Sequence, residues 1–524
     1  MTRNSQVLVT VAPDVPLTPG QLQTYTYRVP DGQDRPPAGT RVVVPFGPRS
    51  SSGTVIGVPR RLPSYRVREL KRIISSRLTA GQIAAARRIA AAAHGGLGYT
   101  IRLFSPPSDG LQPRRYSLPP PSAPAPPAVL VAADAAARRQ DILSFARKHA
   151  AGAQILVLVP EIWMTAAWAG NGRHILHSKL PRRQQTAVWQ AIASGEPGVV
   201  VGTQKAWYLP WQNLKLIVVD EEQYHTHKLF DQYPRLDNRI AARISAAIYG
   251  ARLLYACGYP SLAVRRAIAE GAPVIRNAPQ VLKTTLADYT PADRQAQRLV
   301  PETVYRLLTA ARSSEQVLLF SNRRVARRRI YAELPRQLAA AVTVGTRSRF
   351  VARPEDRFDL IVWLLPEQAL LFPDFRSYEQ ARIIATRLQS LQRNRQQAII
   401  LATRRPEIIR QVFQTPENAW TDEQLAERRS LLLPPSADMV RLTVTAASEK
   451  TADQKSMHLR REMEARLPAA AQATIAIFGP YASRPPAPRT ERHLLLQGPL
   501  EQLVPLYATS RSLFAADVMP EKIL

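Results

Sequence analysis

Two acids at the end of an apolar run are the first residues in this chain that could do chemistry. Val218-Val219-Asp220-Glu221-Glu222 reads as a buried strand that carries carboxylates to its C-terminal end. An Asp-Glu pair there can hold Mg²⁺ against nucleotide phosphates and align a water. Such carboxylates work with a glycine-rich loop ending in Gly-Lys-Thr or Gly-Lys-Ser, whose amides and lysine hold the phosphates. Neither tripeptide occurs in the 524 residues. Without that lysine, charge developing on a phosphoryl group goes unneutralised. Asp220 and Glu221 are therefore expected to be the relic of a nucleotide site, held by packing and hydrogen bonds, with some nucleotide binding as the alternative. No catalytic residue is expected.

Glu221, Glu222, His225 and His227 have the residue types of a metal site. His-x-His spacing suits one face of a strand, but this stretch follows a strand, so loose surface polar residues are expected there and no metal. The single cysteine, Cys257, excludes an internal disulfide framework and a multi-cysteine zinc site. It follows an apolar run and is expected in the core. Arg323, Arg324, Arg327, Arg328 and Arg329 form the densest basic run. On a helix, Arg324 and Arg328 share a face, giving either a phosphate-tracking ridge or a solvated charged face.

The elements that must position these residues alternate along the chain. Residues 1–105 begin with four short strand patterns separated by Pro and Gly turns, followed by an Ala-rich helix capped by Thr79. Residues 106–127 are Pro-rich and read as a stiff extended spacer. From Val129, apolar runs at Val129–Ala132, Ile155–Val159, Gly198–Val201, Leu216–Val219 and Leu253–Ala256 alternate with helical patterns, the sign of a parallel α/β sheet. That predicts one α/β lobe over 128–275 and a connector over 276–300. A second lobe follows over 301–415, with strands at Val317–Phe320, Leu360–Leu365 and Ala398–Ala402. Residues 416–524 read as a small α+β domain.

Lys and Arg number 71 against 40 Asp and Glu, a formal net charge of +31. That excess favours a polyanionic partner, and arginine forks suit phosphates. No apolar run is long enough to span a bilayer, so membrane association is not expected and a cytoplasmic location is.

Several of these segments, taken in order, resemble the primosomal protein N′ (PriA) family of replication-restart helicases. Arg41-Val42-Val43-Val44-Pro45-Phe46-Gly47 with Gly53-Thr54-Val55-Ile56-Gly57-Val58 is similar to its 3′-end DNA-binding domain. Leu156-Val157-Leu158-Val159-Pro160-Glu161-Ile162, Val201-Gly202-Thr203 and Asp220-Glu221-Glu222 match its first helicase lobe. Val317–Arg324 and Asp374-Phe375-Arg376-Ser377 match its second, and Glu427-Arg428-Arg429, Leu433-Pro434-Pro435 and Gly479-Pro480 its terminal domain. The resemblance implies two RecA-like lobes between a β-rich DNA-binding domain and the C-terminal domain.

It also implies what has been replaced. The phosphate loop falls on Ala136-Ala137-Arg138, and the motif coupling ATP to DNA becomes Ala256-Cys257-Gly258-Tyr259-Pro260. Leu388–Arg395 stands where the family carries arginine fingers, and the zinc cysteines and winged helix have no counterpart. No zinc or other cofactor is expected, ATP with Mg²⁺ remaining only as the alternative above. Tyr25-Thr26-Tyr27 occupies the place of a Phe-Asp-Tyr that reads a 3′-terminal nucleotide, its aromatics either stacking on a base or packing in the core. With Arg41 and Arg49 it forms the expected DNA contact, joined by Thr203 and Lys205 in lobe 1, Arg323, Arg324 and Arg328 in lobe 2, and Arg484 and Arg489 in a C-terminal basic loop.

The implied function is a replication-restart, primosome-assembly protein that binds forked or junction DNA without ATP-driven unwinding. The implied partners are that DNA and the primosome and helicase-loading proteins. The alternatives are a 3′→5′ helicase with an atypical nucleotide site and a scaffold that docks partner proteins.

Overall fold

Alternating valines in the first 77 residues build a sheet that is antiparallel except where its edge strand joins in parallel. The chain is described here from a computed structural model, which covers residues 7–17, 23–114, 125–170, 172–228, 235–278, 281–311, 315–322, 326–334, 341–346, 356–371, 374–394, 396–482, 490–510 and 514–520. The N-terminal strands are β1 (Leu8–Pro13), β2 (Tyr25–Arg28), β3 (Thr40–Phe46), β4 (Arg49–Gly57), β5 (Arg68–Glu69) and β6 (Arg72–Arg77), in the order β5-β2-β1-β4-β3-β6. Val9 and Val11, and Val42 and Val44, are two residues apart on one face and wholly buried. The β3–β4 hairpin turns through Gly47 at φ 58°, a conformation that favours glycine.

The helix Ala80–Ala92 follows, with Thr79 and Gln82 forming a capping box at its start. It is wedged between lobe 1 and the C-terminal domain. A Cβ on Gly81 would meet the Tyr249 ring at 2.6 Å, so only glycine lets the helix Asn238–Tyr249 approach this closely. Gln82 Nε2 donates to the Tyr208 carbonyl at 2.8 Å, and Tyr507 Oη donates to the Ala92 carbonyl at 2.7 Å.

Lobe 1 is an all-parallel sheet of β7 (Ala128–Ala132), β8 (Gln154–Leu158), β9 (Arg173–Leu176), β10 (Gly198–Gly202), β11 (Leu214–Asp220), β12 (Arg252–Cys257) and β13 (Val274–Ala278), in the order β13-β7-β12-β11-β8-β10-β9. Near-continuous apolar runs suit strands covered on both faces. Lobe 2 is a second parallel sheet of β14 (Thr284–Asp288), β15 (Val317–Phe320), β16 (Val342–Gly345), β17 (Leu360–Leu364) and β18 (Ile399–Thr403), in the order β14-β18-β17-β15-β16. The C-terminal domain sets β19 (Asp438–Thr445), β20 (Ala476–Ala482), β21 (Glu491–Gly498) and β22 (Ala515–Val518) in an antiparallel sheet ordered β20-β21-β19-β22, covered by the helices Glu449–Arg466 and Leu500–Tyr507. The fold is thus α/β, with two RecA-like lobes flanked by a β-rich N-terminal domain and an α+β C-terminal domain.

One expectation changes. The connector over 276–300 is largely taken up by the sheets, since β13 closes lobe 1 through Ala278 and β14 opens lobe 2 at Thr284. Within residues 1–105 the Ala-rich helix capped by Thr79 forms as Ala80–Ala92, and it joins an apolar cluster shared with lobe 1. Residues 115–124 of the Pro-rich spacer lie outside the described residues.

Candidate nucleotide site and nucleic-acid interface

Asp220 ends β11 in the middle of the lobe 1 sheet, and the helix Ala135–His149 starts just after β7. Crevices outside the carboxyl ends of parallel strands are where α/β folds bind ligands. Here the chain fills that place itself. Arg138, in the first turn of the helix, is 2% exposed and commits all three guanidinium nitrogens. Nε donates to Asp220 Oδ1 at 2.9 Å, Nη2 to Glu221 Oε1 at 2.5 Å and Nη1 to the Ala132 carbonyl at 3.0 Å. Desolvating three charges costs several kcal/mol per ion, and only such complete pairing offsets it. Glu221 adopts left-handed backbone, φ 52°, a strain these bonds hold in place.

The helix N-terminus, ordinarily a ready anion site, is occupied too. Asp134 Oδ1 accepts from the Ala136 and Ala137 amides at 3.0 and 2.8 Å. A Mg²⁺-nucleotide does not fit this arrangement, because the carboxylates that would hold the ion and the amides that would hold phosphate are already bonded. Burial pushes the Glu221 carboxyl up, but Arg138 and, from lobe 2, Arg387 together hold it below its ordinary value.

The polar stretch after β11 is not a loose surface, as its composition suggested. Glu222 is 1% exposed, with Ser261 donating to it through its amide at 3.0 Å and its hydroxyl at 2.9 Å. Burial drives its carboxyl up to about 7. His227 is fully buried, and its Nε2 lies 3.0 Å from the Asp220 carbonyl, to which it donates. Burial, with Arg239 adding, holds this imidazole down at about 4. These residues brace the strand end. Cys257 lies in the core as expected, beside Val129, Val131 and Val264. Among the described residues no group of His, Cys, Asp or Glu is arranged to hold a metal ion, and no helix is long and apolar enough to cross a membrane.

The segment Ala256–Pro260 leads into a contact between the lobes that its sequence did not announce. Tyr259 Oη donates to Glu417 Oε1 at 2.6 Å and accepts from Arg382 Nε at 3.1 Å. Arg382 Nη2 reaches Glu417 Oε2 at 2.6 Å, and its guanidinium lies 4.6 Å from the centre of the Trp420 ring. Arg265 pairs with the same Glu417 at 2.6 Å and lies over Tyr259 at 4.8 Å. Nearby, Glu379 of the helix Ser377–Ser390 accepts from the Leu262 amide at 2.8 Å and from Arg428 at 3.1 Å.

The expected DNA contacts divide. Tyr27 is 4% exposed and belongs to the N-terminal core, so it packs and does not stack on a base. Arg41 is buried in an ion pair with Asp14 and also bonds Thr54 Oγ1 at 2.8 Å, which makes it a fold residue. Thr26 is buried, its amide donating to Tyr65 Oη at 2.8 Å. Tyr25 is half-buried, edge-on to Phe46 at 5.3 Å and 6.2 Å from the exposed Tyr65, a ring that sequence reasoning missed. Arg49 is exposed on the β3–β4 hairpin, and Arg68 beside it bonds the Gly47 carbonyl. The rings that reach the surface at this end are Tyr25, Phe46 and Tyr65, beside exposed Arg49 and Arg68.

Thr203 sits half-buried at the start of the 3₁₀ turn Gln204–Tyr208, and exposed Lys205 bonds Gln185 at 2.9 Å. Arg328 is exposed on the helix Ala326–Glu333. Arg323, Arg324, Arg484 and Arg489 lie outside the described residues.

A family model for the PriA 3′ DNA-binding domain matches residues 7–106. The replication restart protein PriA of Haemophilus influenzae is 33% identical over 118 residues, covering 21% of this chain and 16% of that protein. The PriA of Borreliella burgdorferi is 25% identical over 183 residues, covering 33% of this chain and 28% of that protein. The aligned stretches thus span less than a third of these relatives' own length. Among solved structures, RecG bound to a three-way DNA junction aligns with 67% of this chain and 46% of its own, at 12% identity and a TM-score of 0.37. Residues 7–106 thus match the PriA 3′ DNA-binding domain, and the chain is similar to PriA proteins over the aligned stretches.

Proposed function

We propose that the chain is a replication-restart protein that holds forked or branched DNA and supports primosome assembly in the cytoplasm without ATP-driven unwinding. DNA binding is supported by the matched 3′ DNA-binding domain and by the net charge of +31. The observation that carries the second half is Arg138. A guanidinium with every nitrogen engaged, two of them by Asp220 and Glu221, stands where phosphates and Mg²⁺ would have to enter. Phosphate contacts supply most of the affinity in such a protein, so binding falls steeply with salt.

The test pairs two measurements on the full chain. Fork and random duplex of equal length compete at moderate salt, and phosphate release is followed with and without fork, in parallel with Asp220→Asn. Preference for the fork with no DNA-stimulated release is the expected result. Equal competition removes the fork reading, and release that Asp220→Asn abolishes restores the helicase reading.

A further inference from the structure

A cleft of about 240 Å³ lies where the end of the N-terminal domain meets lobe 1. Leu103, Ser105 and Pro107 form one wall; Gln185 and Trp189 of the helix Arg182–Ala193, with Gln204, Lys205 and Tyr208 of the 3₁₀ turn, form the others. Two of its polar groups are left unused. The Trp189 indole N–H, on a side chain 4% exposed, and the Ser105 hydroxyl are buried without a hydrogen-bond partner. Buried donors without partners cost about 1–3 kcal/mol each, and both belong to residues of the cleft wall.

The rest of the lining limits what could meet them. Tyr208 is a half-buried ring edge-on to Phe104 at 4.9 Å, and its hydroxyl accepts from Gln204 at 2.8 Å. Lys205 at the mouth spends one donor on Gln185. Exposed Arg182 donates from Nε to the carbonyl of Pro107 in the cleft wall at 2.7 Å, and the residues lining the cleft include no carboxylate. The volume falls short of the ~300–1,000 Å³ of pockets for drug-sized ligands. Flat rings, carboxamides that can meet a base edge, unused donors and a cationic rim describe one unstacked nucleotide.

We propose that this cleft takes a single nucleotide of a bound DNA strand, with its base inside against Trp189 and Tyr208 and its phosphates at Lys205 and Arg182. The inference rests on the DNA-binding reading above and adds a base-sized site in lobe 1, apart from the Tyr25–Phe46–Tyr65 surface.

Full-length protein is bound to forked oligonucleotides carrying one 5-iodo-deoxyuridine, stepped along the single strand, then irradiated and mapped by mass spectrometry. The expected result is one position that crosslinks to Trp189 or Tyr208. An abasic site at that position weakens binding by about 5- to 150-fold, the range of a lost base–aromatic stack. Lys205→Ala with Gln185→Ala, both at the cleft mouth, reduces that crosslink while leaving crosslinks to residues 25–72 intact. Fork binding with crosslinks confined to residues 25–72, or an abasic site without effect at every position, overturns the cleft and leaves the DNA-binding reading standing. Loss of all fork binding even at low salt removes both. Crosslinking of free 5-iodo-deoxyuridine monophosphate to Trp189, with none from any fork, replaces the strand by a free nucleotide and also overturns the proposal.

Discussion

Arg138 and Asp220 are 82 residues apart in sequence and 2.9 Å apart in the fold, both almost wholly buried. The bond ties the first helix of lobe 1 to the end of its central strand. Arg138→Met removes the guanidinium bonded to both Asp220 and Glu221, leaving Asp220 buried without its ion-pair partner. Breaking a buried pair this way costs about 3–5 kcal/mol. Urea unfolding should show the midpoint fall in Arg138→Met and recover in part when Asp220→Asn and Glu221→Gln are added. A single substitution with no effect on the midpoint would contradict the bracing role.

Glu222 gives a pH signature. Its folded-state value of about 7 lies above the ordinary carboxyl value of 4.5, so the fold binds a proton that the unfolded chain has released. Its contribution is present in full below pH 4.5 and is lost as pH rises through about 7. His227 acts the other way, since its lowered value stabilises the fold above pH 6.5 and that stability is lost as pH falls toward 4. Glu222→Gln mimics the protonated acid. Thermal melts from pH 5 to 8 should show the wild type losing stability on the alkaline side relative to the variant, and parallel curves would refute the assignment.

Tyr259 tests the contact between the lobes. Tyr259→Phe removes a hydroxyl bonded to the charged Glu417 and Arg382, at a cost of about 1.5–3 kcal/mol. Hydrogen exchange should quicken on both sides, around residues 256–262 and in the helix Glu417–Ser430. Faster exchange on one side alone would mean that the hydroxyl does not couple them.

Arg41 and Arg49 separate folding from DNA binding. Arg49→Ala, at an exposed site, should lower DNA affinity and make the salt dependence shallower by about one unit of slope. Arg41→Ala should strand Asp14 in the core and lower stability by about 3–5 kcal/mol. If Arg41→Ala keeps its melting temperature and changes the salt slope, the two assignments must be exchanged.

The central strands were legible because β7, β8, β11 and β12 are apolar runs covered on both faces. β9 (Arg-His-Ile-Leu) at the sheet edge and β16, four residues long, carry too little pattern to be separated from loops. At the site, an acidic strand end was visible, but the occupant was not. Arg138 reads as one more positive charge in a basic chain, and only its placement beside Asp220 gives it a role. His225 and His227 misled for a related reason: polarity suggests water, yet the Asp220 carbonyl supplies His227 with a buried partner. Arg387, at the end of the helix Ser377–Ser390, acts on the Glu221 charge from the other lobe. No local pattern encodes that approach.

The Asp134 cap and the Arg138 ion pairs close this place independently. Replacing Arg138 by Lys leaves the Asp134 carboxylate on the Ala136 and Ala137 amides, and so repels the phosphate such a lysine would attract. Replacing Asp134 first uncaps the helix, at about 1 kcal/mol, while the guanidinium stays on its two acids. The cap and the buried pairing therefore stand in for one another, so that an anion would find room here only if both were replaced together.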